Sequence, residues 1–245
     1  AAAWYDQRDG DSAIYMYDLV KKQEKRLSAP DSNSHLPSIY KETIVWSERV
    51  PDGKVDLYTY NCVTQQTRRI ITPSRSGNYP DIHKNRIVYS GPGWQRYLFS
   101  DIYMYDTATD METRIAHADY LEVPTVGGYT IYGNDVGIPK IFKNKVVRST
   151  YPEGYIYLYD VVSGAETALV KGVMGTRSFN VYEDKLLYGD YRNYVDFLNH
   201  DVYIYDLTAE QIIMVSSLEA IPYVGCIYED KVTWLDKRSG TLEVH

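Results

Sequence analysis

The chain of 245 residues contains little cysteine, phenylalanine or histidine, with two, four and five of these residues respectively. No apolar run approaches the roughly 20 residues that a membrane-spanning helix needs, so no transmembrane segment is expected. The formal net charge is -7, and nothing suggests a clustered basic face, which disfavours a nucleic-acid partner because phosphate binding needs such a face. The 3.6-residue periodicity of amphipathic helices is missing throughout. A β-rich fold is therefore expected.

The two cysteines do not indicate a disulfide. Cys62 falls in a predicted hairpin turn and Cys226 in a predicted strand, and a disulfide requires a specific geometry. We therefore expect two buried or inert thiols. The opening residues, AAAWYDQRDG, lack the pattern of a signal peptide. A mature or trimmed secreted protein would look the same, so the compartment stays open at this level.

Signatures of common catalytic sites are also missing. The sequence has no H-E-x-x-H, G-x-S-x-G, Walker or C-x-x-C motif, and its histidines are scattered. We therefore assign no catalytic residue, no metal site and no cofactor from the sequence. Enzymatic activity stays an open question.

What the sequence does contain is a repeated tyrosine motif. Tyrosine is abundant, at 26 residues, and five segments carry two tyrosines one residue apart followed by Asp or Asn: AIYMYD from Ala13, DLYTYN from Asp56, DIYMYD from Asp101, YIYLYD from Tyr155 and DVYIYD from Asp201. Their final residues are separated by 43, 45, 54 and 46 positions. A period near 45 residues is typical of propellers and solenoids.

A second pattern accompanies the tyrosine motif. It consists of a short strand, a polar two-residue turn and a β-branched or aromatic strand, which together predict a hairpin. Its five copies are PSIYKETIVWSE from Pro37, PDIHKNRIVYSG from Pro80, PKIFKNKVVRST from Pro139, FNVYEDKLLYGD from Phe179 and GCIYEDKVTWLD from Gly225. With the tyrosine motif as third strand and a fourth strand after it, each unit has the size of a four-stranded propeller blade.

The pattern predicts an all-β fold, a β-propeller of four-stranded antiparallel blades in a single domain, residues 1–245. Whole blades are expected at 37–72, 80–117, 139–171 and 179–216, and residues 225–245 would join 1–28 in a composite fifth blade that closes the ring. Residues 124–138 are interpreted as an elaborated loop or a degenerate half-blade. A six-bladed ring, or a fragment of a larger one, is the alternative.

Within a blade, neighbours cover both faces of each strand. Bulky residues are then needed at successive positions, and tyrosine supplies buried ring area together with a hydroxyl that can reach a polar partner. One repeat position holds an aromatic residue at five places in the chain, which indicates packing and no unique site: Trp4, Trp46, Tyr89, Tyr188 and Trp234. His83 occupies a position where other units have Tyr or Phe, so a packed ring is expected there as well.

The IYMYD and PxIxxxxIVW patterns resemble TolB-like (WD40-like) propeller repeats, especially those of archaeal and bacterial cell-surface proteins. The resemblance covers nearly the whole chain apart from residues 124–138. It implies an extracellular, cell-surface or periplasmic setting and a scaffold that binds proteins or glycans. The family's D-x-R-x-G segment is matched by Asp6, Arg8 and Gly10 and by Asp236, Arg238 and Gly240; Asp190 and Arg192 lack the glycine. Repetition of these Asp and Arg residues favours structural ion pairs.

Residues that break the repeat are better candidates for binding, because packing alone does not require them. Two loops between second and third strands are long and aromatic, and connections between blades are expected on the same face. Aromatic faces with charged and polar neighbours suit a protein or sugar surface. The predicted ligand-binding residues are Trp94, Arg96, Tyr97, Tyr191, Arg192, Tyr194, Asp196, His200, His117 and Tyr120.

Two other functions stay open. A carbohydrate-active enzyme, a glycoside hydrolase or lyase, would need a metal or a pair of carboxylates at the channel mouth, with Asp81, Asp119, Asp135 and Glu219 as candidates. A purely structural role would make the chain a module that self-assembles or attaches to a larger surface protein. The sequence does not separate this role from ligand binding.

Overall fold

The structure, a computed structural model, describes residues 1–8, 10–74, 77–91, 101–117, 135–136, 138–151, 154–170, 179–190, 201–216, 223–236 and 243–244. All regular secondary structure within these ranges is β-strand. No helix among the described residues is long and apolar enough to cross a membrane. The chain forms two compact units, Ala1–Tyr120 and Leu121–His245.

The first unit contains three antiparallel sheets in which strands consecutive in the chain are neighbours. The first sheet consists of β1 (Ala2–Asp6), β2 (Ala13–Asp18) and β3 (Gln23–Arg26). The second sheet consists of β4 (Asn33–Tyr40), β5 (Thr43–Arg49), β6 (Val55–Asn61) and β7 (Thr67–Ile70). The third sheet consists of β8 (Asn78–His83), β9 (Arg86–Ser90), β10 (Ile102–Asp106) and β11 (Met111–Ala116).

The second unit also contains three sheets. The fourth sheet consists of β12 (Asp135–Val136), β13 (Lys140–Phe142), β14 (Lys145–Tyr151), β15 (Ile156–Asp160) and β16 (Glu166–Val170). The fifth sheet consists of β17 (Phe179–Tyr182), β18 (Lys185–Asp190), β19 (Asp201–Asp206) and β20 (Gln211–Ser216). The sixth sheet consists of β21 (Tyr223–Tyr228), β22 (Lys231–Asp236) and β23 (Glu243–Val244).

The predicted strand pattern and the all-β class are confirmed. Each tyrosine motif forms the strand before the last turn of its sheet, and four sheets contain a complete set of first to fourth strands. Within the described ranges, the two terminal sheets each contain three strands. Their union in one composite blade, and the single domain that this union implies, stay predictions.

The first strands begin earlier than the repeat pattern suggests. β4 starts at Asn33 and pairs with β5 on both sides of a register shift between His35 and Ser38. β8 has a corresponding shift between Asn78 and Asp81. Leu36 and Tyr79, the residues before the prolines of the pattern, have φ values of 56° and 52° at these shifts. A bulge of this kind bends the strand and lets it continue beyond the proline.

The end of the irregular segment at 124–138 belongs to the fourth sheet. β12 pairs with the far end of β14, through Asp135 opposite Tyr151 and Val136 opposite Thr150. β13 pairs with the start of the same strand, from Lys140 opposite Val147. Together β12 and β13 occupy the position of the first strand in the fourth sheet. The break between them corresponds to the bulges within β4 and β8. Residues 118–134 lie outside the described residues.

Burial on both faces of the strands is confirmed within each unit. Ile44 and Val45 are adjacent in β5 and both fully buried, yet Ile44 packs with Ile14 of the first sheet and Val45 with Ile82 of the third. Leu186 and Leu187 of β18 behave in the same way, since they belong to separate apolar clusters on opposite sides of the fifth sheet. Consecutive sheets of a unit therefore pack face to face.

The acidic end of the tyrosine motif forms the turn that follows it. In the fourth sheet, Oδ1 of Asp160 accepts the backbone N–H groups of Val162 and Ser163 at 3.0 and 2.8 Å. Asp18, Asn61 and Asp206 hold their turns through the same two bonds. The fourth residue after the final Asp or Asn has a positive φ in all five motifs: Lys22, Gln65, Asp110, Gly164 and Glu210. The side chain thus satisfies backbone donors that the reversal leaves unpaired.

Replacing Asp160 with alanine should lower the free energy of unfolding by about 1 kcal/mol, the usual effect of losing such a cap. Asp160→Asn is the matched control and should cost less, because Asn61 performs the same role in the second sheet. Urea unfolding followed by circular dichroism measures both. An alanine variant as stable as the asparagine variant would contradict the role of the turn bonds.

The stability difference should also depend on pH. The backbone N–H of Ser163 holds the pKa of Asp160 below its usual 3.8. A lowered folded-state pKa contributes stability that is complete above the unfolded-state value and is lost as the pH falls through the folded-state value. The difference in free energy of unfolding between the natural chain and Asp160→Ala should therefore decrease as the pH falls below the usual pKa of an aspartate.

The two cysteines are free thiols in the described structure, as expected. Cys62 lies in the turn after β6 and contacts the apolar cluster of Ile44 and Trp46. Burial raises the pKa of its thiol. Cys226 lies in β21 and is exposed, whereas Cys62 is half-buried, so neither thiol is fully buried.

Candidate functional site

Each sheet has two distinct ends. At one end, which we call the turn end, short turns join the first strand to the second and the third to the fourth, as at Lys41 and Gln65 of the second sheet. At the other end, which we call the loop end, the second strand leaves the sheet, the third enters it and the fourth leaves it. The antiparallel strand order places these points together, so the long loops and the connections between sheets emerge at the loop end.

A polar cluster lies at the loop end of the third sheet. Asp101, the residue before β10, is almost fully buried. Its Oδ1 lies 2.8 Å from Nδ1 of His117, and its Oδ2 lies 3.3 Å from the hydroxyl of Tyr103 and 3.5 Å from Nη1 of Arg114. We call these four residues the Asp101 cluster. One buried acceptor thus orients three donors.

The Asp101 cluster presents polar groups of both His117 and Arg114 to the solvent. The side chains of His117 and Arg114 are 52% and 54% exposed, whereas that of Asp101 is 7% exposed. Because a carboxylate accepts hydrogen bonds, we assign the hydrogen between the two side chains to Nδ1 of His117. Its Nε2 and the remaining guanidinium N–H groups of Arg114 then face outward. The guanidinium N–H groups can donate to hydroxyl, carbonyl or carboxylate oxygens, whereas Nε2 of this tautomer accepts a bond from a hydroxyl or amide donor.

The environment of Tyr103 adds to this arrangement. Burial, and next the charge of Asp101, raise the pKa of its hydroxyl. The ring stacks on Tyr89 with centroids 5.8 Å apart. A side chain at Gly91 would overlap this ring, since a Cβ there would lie 2.3 Å from a ring carbon. Gly91 is therefore required at the start of the loop.

The base of the loop at residues 92–100 adjoins the Asp101 cluster. The N–H of Gly91 donates to the carbonyl of Asp101 at 2.8 Å, which closes the loop on itself. His117 contacts the same aspartate. Of the ten predicted binding residues, His117 is the one that the structure describes, and it lies beside the ends of the loop that contains Trp94, Arg96 and Tyr97.

The other predicted residues lie outside the described residues. Trp94, Arg96 and Tyr97 fall in 92–100, Tyr120 in 118–134, and Tyr191, Arg192, Tyr194, Asp196 and His200 in 191–200. The described strands nevertheless locate the second long loop. Asp190 and Asp201, which flank it, are paired across β18 and β19. This loop therefore leaves from the loop end of the fifth sheet.

Sequence reasoning missed Asp101 as a site residue. The signal was present, since three tyrosine motifs begin with an aspartate: Asp56, Asp101 and Asp201. Asp56 is fully buried and pairs with Arg69 at 2.5 and 2.8 Å, and Asp201 accepts the hydroxyl of Tyr203 at 3.2 Å. The aspartate at this position is therefore a recurring structural element, and it is buried in the second and third sheets. His117 is what distinguishes the third sheet, because the second sheet has Ile71 after its fourth strand.

The residues near the N-terminus that match the D-x-R-x-G segment form a local ion pair. The backbone N–H and Nε of Arg8 donate to Asp6 at 2.9 and 2.7 Å, and Nη1 donates to Glu24 at 2.7 Å. The guanidinium carbon lies 4.5 Å from the centroid of Tyr15. Gly10 has a φ of 96°, which favours glycine. These contacts order the loop between β1 and β2.

The turn end contains a cleft, but its acids are already engaged. The cleft has a volume of about 400 Å³ and lies between the fourth and fifth sheets. Glu183 pairs with Lys143 at 3.4 Å, Asp184 pairs with Lys185 at 3.1 Å, and Asp160 holds its own turn. No group of three His, Cys, Asp or Glu side chains within the described ranges is placed to hold a metal.

The structure describes only some of the carboxylates that were considered as catalytic groups of an enzyme. Oδ1 of Asp81 accepts the hydroxyl of Ser38 at 2.7 Å, which connects the third sheet to the second. Asp119 and Glu219 lie outside the described residues, and the structure describes Asp135 through its backbone pairing. A second carboxylate beside Asp81 is therefore not part of the described geometry.

Comparisons with solved structures identify the fold. TolB from Acinetobacter baumannii is similar over 99% of this chain and 60% of its own, with a TM-score of 0.64 at 12% identity. A chain of a nidogen/laminin complex is similar over 99% of this chain and 88% of its own, with a TM-score of 0.62 at 8% identity. The β-propeller domain of the Trilobed protease from Pyrococcus furiosus matches 89% of this chain and 72% of its own, with a TM-score of 0.57 at 12% identity.

This chain has a TolB-like β-propeller fold. The predicted resemblance is thereby confirmed at the level of the fold, and the four complete sheets described above are blades of this propeller. No protein-family model and no curated protein matches the sequence. The chain spans about 60% of the length of the A. baumannii TolB chain. At these identities the likeness concerns the propeller architecture, and the propeller's function has to be argued from its own residues.

Proposed function

We propose that this propeller is a noncatalytic extracytoplasmic scaffold that binds a protein or a glycan through the loop end of its blades. The single observation that carries the proposal is the Asp101 cluster. It holds His117 and Arg114 in fixed, exposed positions beside the base of a loop that contains Trp94 and Tyr97.

The chemistry of this surface suits both kinds of ligand. Tyrosine and tryptophan rings provide contact area at little cost in conformational entropy, and they are enriched where proteins bind other proteins. Oriented N–H donors bind the hydroxyl oxygens of sugars and the carbonyl or carboxylate oxygens of proteins. Because Asp101 already orients His117 and Arg114, less side-chain freedom would be lost on binding.

The extracytoplasmic setting rests on the resemblance to surface repeats and on the fold shared with TolB. A similar chain occurs in a nidogen/laminin complex, so a propeller of this shape can take part in a protein assembly. We extend the proposal to a role as one module of a surface assembly. Attachment to a larger surface protein is compatible with the use of the loop end for binding.

Alanine substitutions test the proposed face. Trp94→Ala and Tyr194→Ala should each weaken binding by about 30-fold, the effect expected when a central aromatic contact of an interface is removed. The natural chain would first be screened on a glycan array and against proteins from the native cell surface, and the variants would then be measured on the ligand found. Val162→Ala is the matched control, because Val162 is exposed in a turn at the turn end.

The outcome is decisive when the variants stay folded. Unchanged circular dichroism and a retained thermal midpoint would show that the blades are intact. Binding that Trp94→Ala and Tyr194→Ala leave unchanged, or that Val162→Ala weakens equally, would refute the assignment to the loop end.

A further inference from the structure

The outer strand of the fifth blade differs from the outer strands of the other complete blades. β7, β11 and β16 have the sequences TRRI, METRIA and ETALV, and the terminal blade strand β3 has QEKR. Each contains at least one charged residue. β20 has the sequence QIIMVS and contains none. Charged residues on a sheet edge hinder pairing with another strand, and β20 lacks this protection.

The apolar residues of β20 are exposed. Ile212, Ile213 and Met214 are 48%, 52% and 54% accessible to solvent. Successive side chains of a strand point to opposite faces, so Ile213 lies on one face of the edge and its two neighbours on the other. Opposite them in β19 lie Tyr205, Ile204 and Tyr203. A strand placed along β20 would therefore meet apolar side chains on both faces.

The backbone of β20 is suited to pairing as well. In the order of the fifth sheet, β20 is the terminal strand, and β19 is its neighbour among the described strands. In an antiparallel pair, every second residue directs its N–H and C=O away from the partner strand. Pairing with β19 is regular from Gln211 to Met214, before a register shift near Val215. The regular part coincides with the exposed apolar residues.

We propose that β20 is a docking edge for an extended, uncharged segment of a partner protein, which adds to the fifth blade as a further strand. Main-chain hydrogen bonds would supply affinity, and the side chains of Ile212, Ile213 and Met214 would select apolar residues at alternate positions. Charge supports this occupant, because β20 offers no ionic partner to a charged segment.

The size of the edge favours a single strand over a second copy of the chain. A stable interface between two globular proteins typically uses roughly 20 to 30 residues on each side, whereas β20 has six residues. A peptide strand needs only the edge itself. This inference is independent of the loop-end proposal, because β20 is an outer edge and the variants used to test the loop end leave it unchanged.

Selection from a displayed library of random octapeptides on the immobilised full chain tests the docking edge. The enriched peptides should be uncharged and rich in β-branched or aromatic residues, because both faces of the edge are apolar. Synthetic copies should bind Ile213→Lys at least about 10-fold more weakly, because a lysine on the edge opposes pairing. Met111→Lys is the matched control, since Met111 is 63% exposed on the outer strand β11, and it should bind as the natural chain does.

A second comparison separates strand pairing from general apolar adhesion. Copies of the enriched peptides with N-methyl groups at alternate residues keep their side chains but lose main-chain donors, and they should bind at least about 10-fold more weakly. Failure to enrich, enrichment of charged peptides, or equal binding to Ile213→Lys would overturn the proposal. A concentration-dependent dimer that Ile213→Lys abolishes would also overturn it, because a second copy would then occupy the edge.

Discussion

Replacing Trp46 with alanine should lower the free energy of unfolding by about 3 to 5 kcal/mol, the range found when a large aromatic residue is removed from a packed core. Trp46 is completely buried. Its ring stacks on Tyr58 with centroids 5.7 Å apart, and it packs with Ile14 and Met16 of the neighbouring blade. The substitution would open a cavity between two blades. It would also remove the indole donor that lies 3.3 Å from Oε2 of Glu48.

A tyrosine at the same position provides the control. Tyr89 and Tyr188 occupy the equivalent place in two other blades, where they stack on Tyr103 and Tyr203 at 5.8 and 5.6 Å. Trp46→Tyr should therefore cost only about 1 to 2 kcal/mol, as a partial loss of volume. Urea unfolding followed by far-ultraviolet circular dichroism avoids dependence on tryptophan fluorescence. A loss below about 1 kcal/mol for Trp46→Ala would contradict the proposed packing between blades.

Replacing Arg148 with alanine should lower the free energy of unfolding by about 3 kcal/mol, because it removes a buried side chain together with its two charged hydrogen bonds to the partly exposed Glu166. Arg148 is 8% exposed and stands where the other blades have an aromatic residue. Its Nε and Nη2 donate to the two carboxylate oxygens of Glu166 at 2.8 and 2.7 Å. Its guanidinium carbon lies 4.3 Å from the ring centroid of Tyr157. The guanidinium therefore covers this tyrosine as an aromatic side chain covers its counterpart in the other blades.

The third blade suggests the control for this prediction. There Tyr89 takes the place of Arg148, and its hydroxyl donates to Glu112, the counterpart of Glu166. Arg148→Tyr should therefore keep both the stacking and the bond to the acid, and should cost less than about 1.5 kcal/mol. Unfolding curves of the two variants make the comparison. If Arg148→Tyr were as destabilising as Arg148→Ala, the two positions would not be equivalent.

Much of the fold could be predicted because the residue pattern of the repeat follows directly from the burial of its strands. Ile44 and Val45 are buried on opposite faces, and this produces apolar runs where an ordinary half-exposed strand would alternate. The five turns between first and second strands could also be predicted, from their two polar residues. Their first residues all have a φ between 51° and 57°: Lys41, Lys84, Lys143, Glu183 and Glu229.

Other features depend on partners that are distant in sequence. The final Asp or Asn of each motif could be recognised as recurring at one repeat position, but its role became clear only from the N–H groups of the turn that it accepts. Arg148 replaces the aromatic residue of the other blades, and this replacement can be explained only by its bond to Glu166, 18 residues away. The start of β4 beyond Pro37 depends on a bulge, which a pattern of apolar residues does not reveal.

The candidate site was predictable in part. Departures from the repeat pointed to the loops at 92–100 and 191–200, and the strand order places both at loop ends. Asp101 escaped notice because it belongs to the repeat, as do Asp56 and Asp201. Its role at the site arises from the contact with His117, which only the fold brings next to it. The exposed edge of β20 was likewise hidden, because apolar strands elsewhere in the chain are buried.

One measurement tests the loop-end assignment directly. A photoreactive amino acid would replace Trp94 in one version of the chain and Glu42, in a turn at the opposite end of a blade, in another. Both versions would be irradiated on the native cell surface and examined for cross-linked adducts. We predict a discrete adduct from position 94 and none from position 42. Adducts from position 42 alone would contradict the proposed binding face.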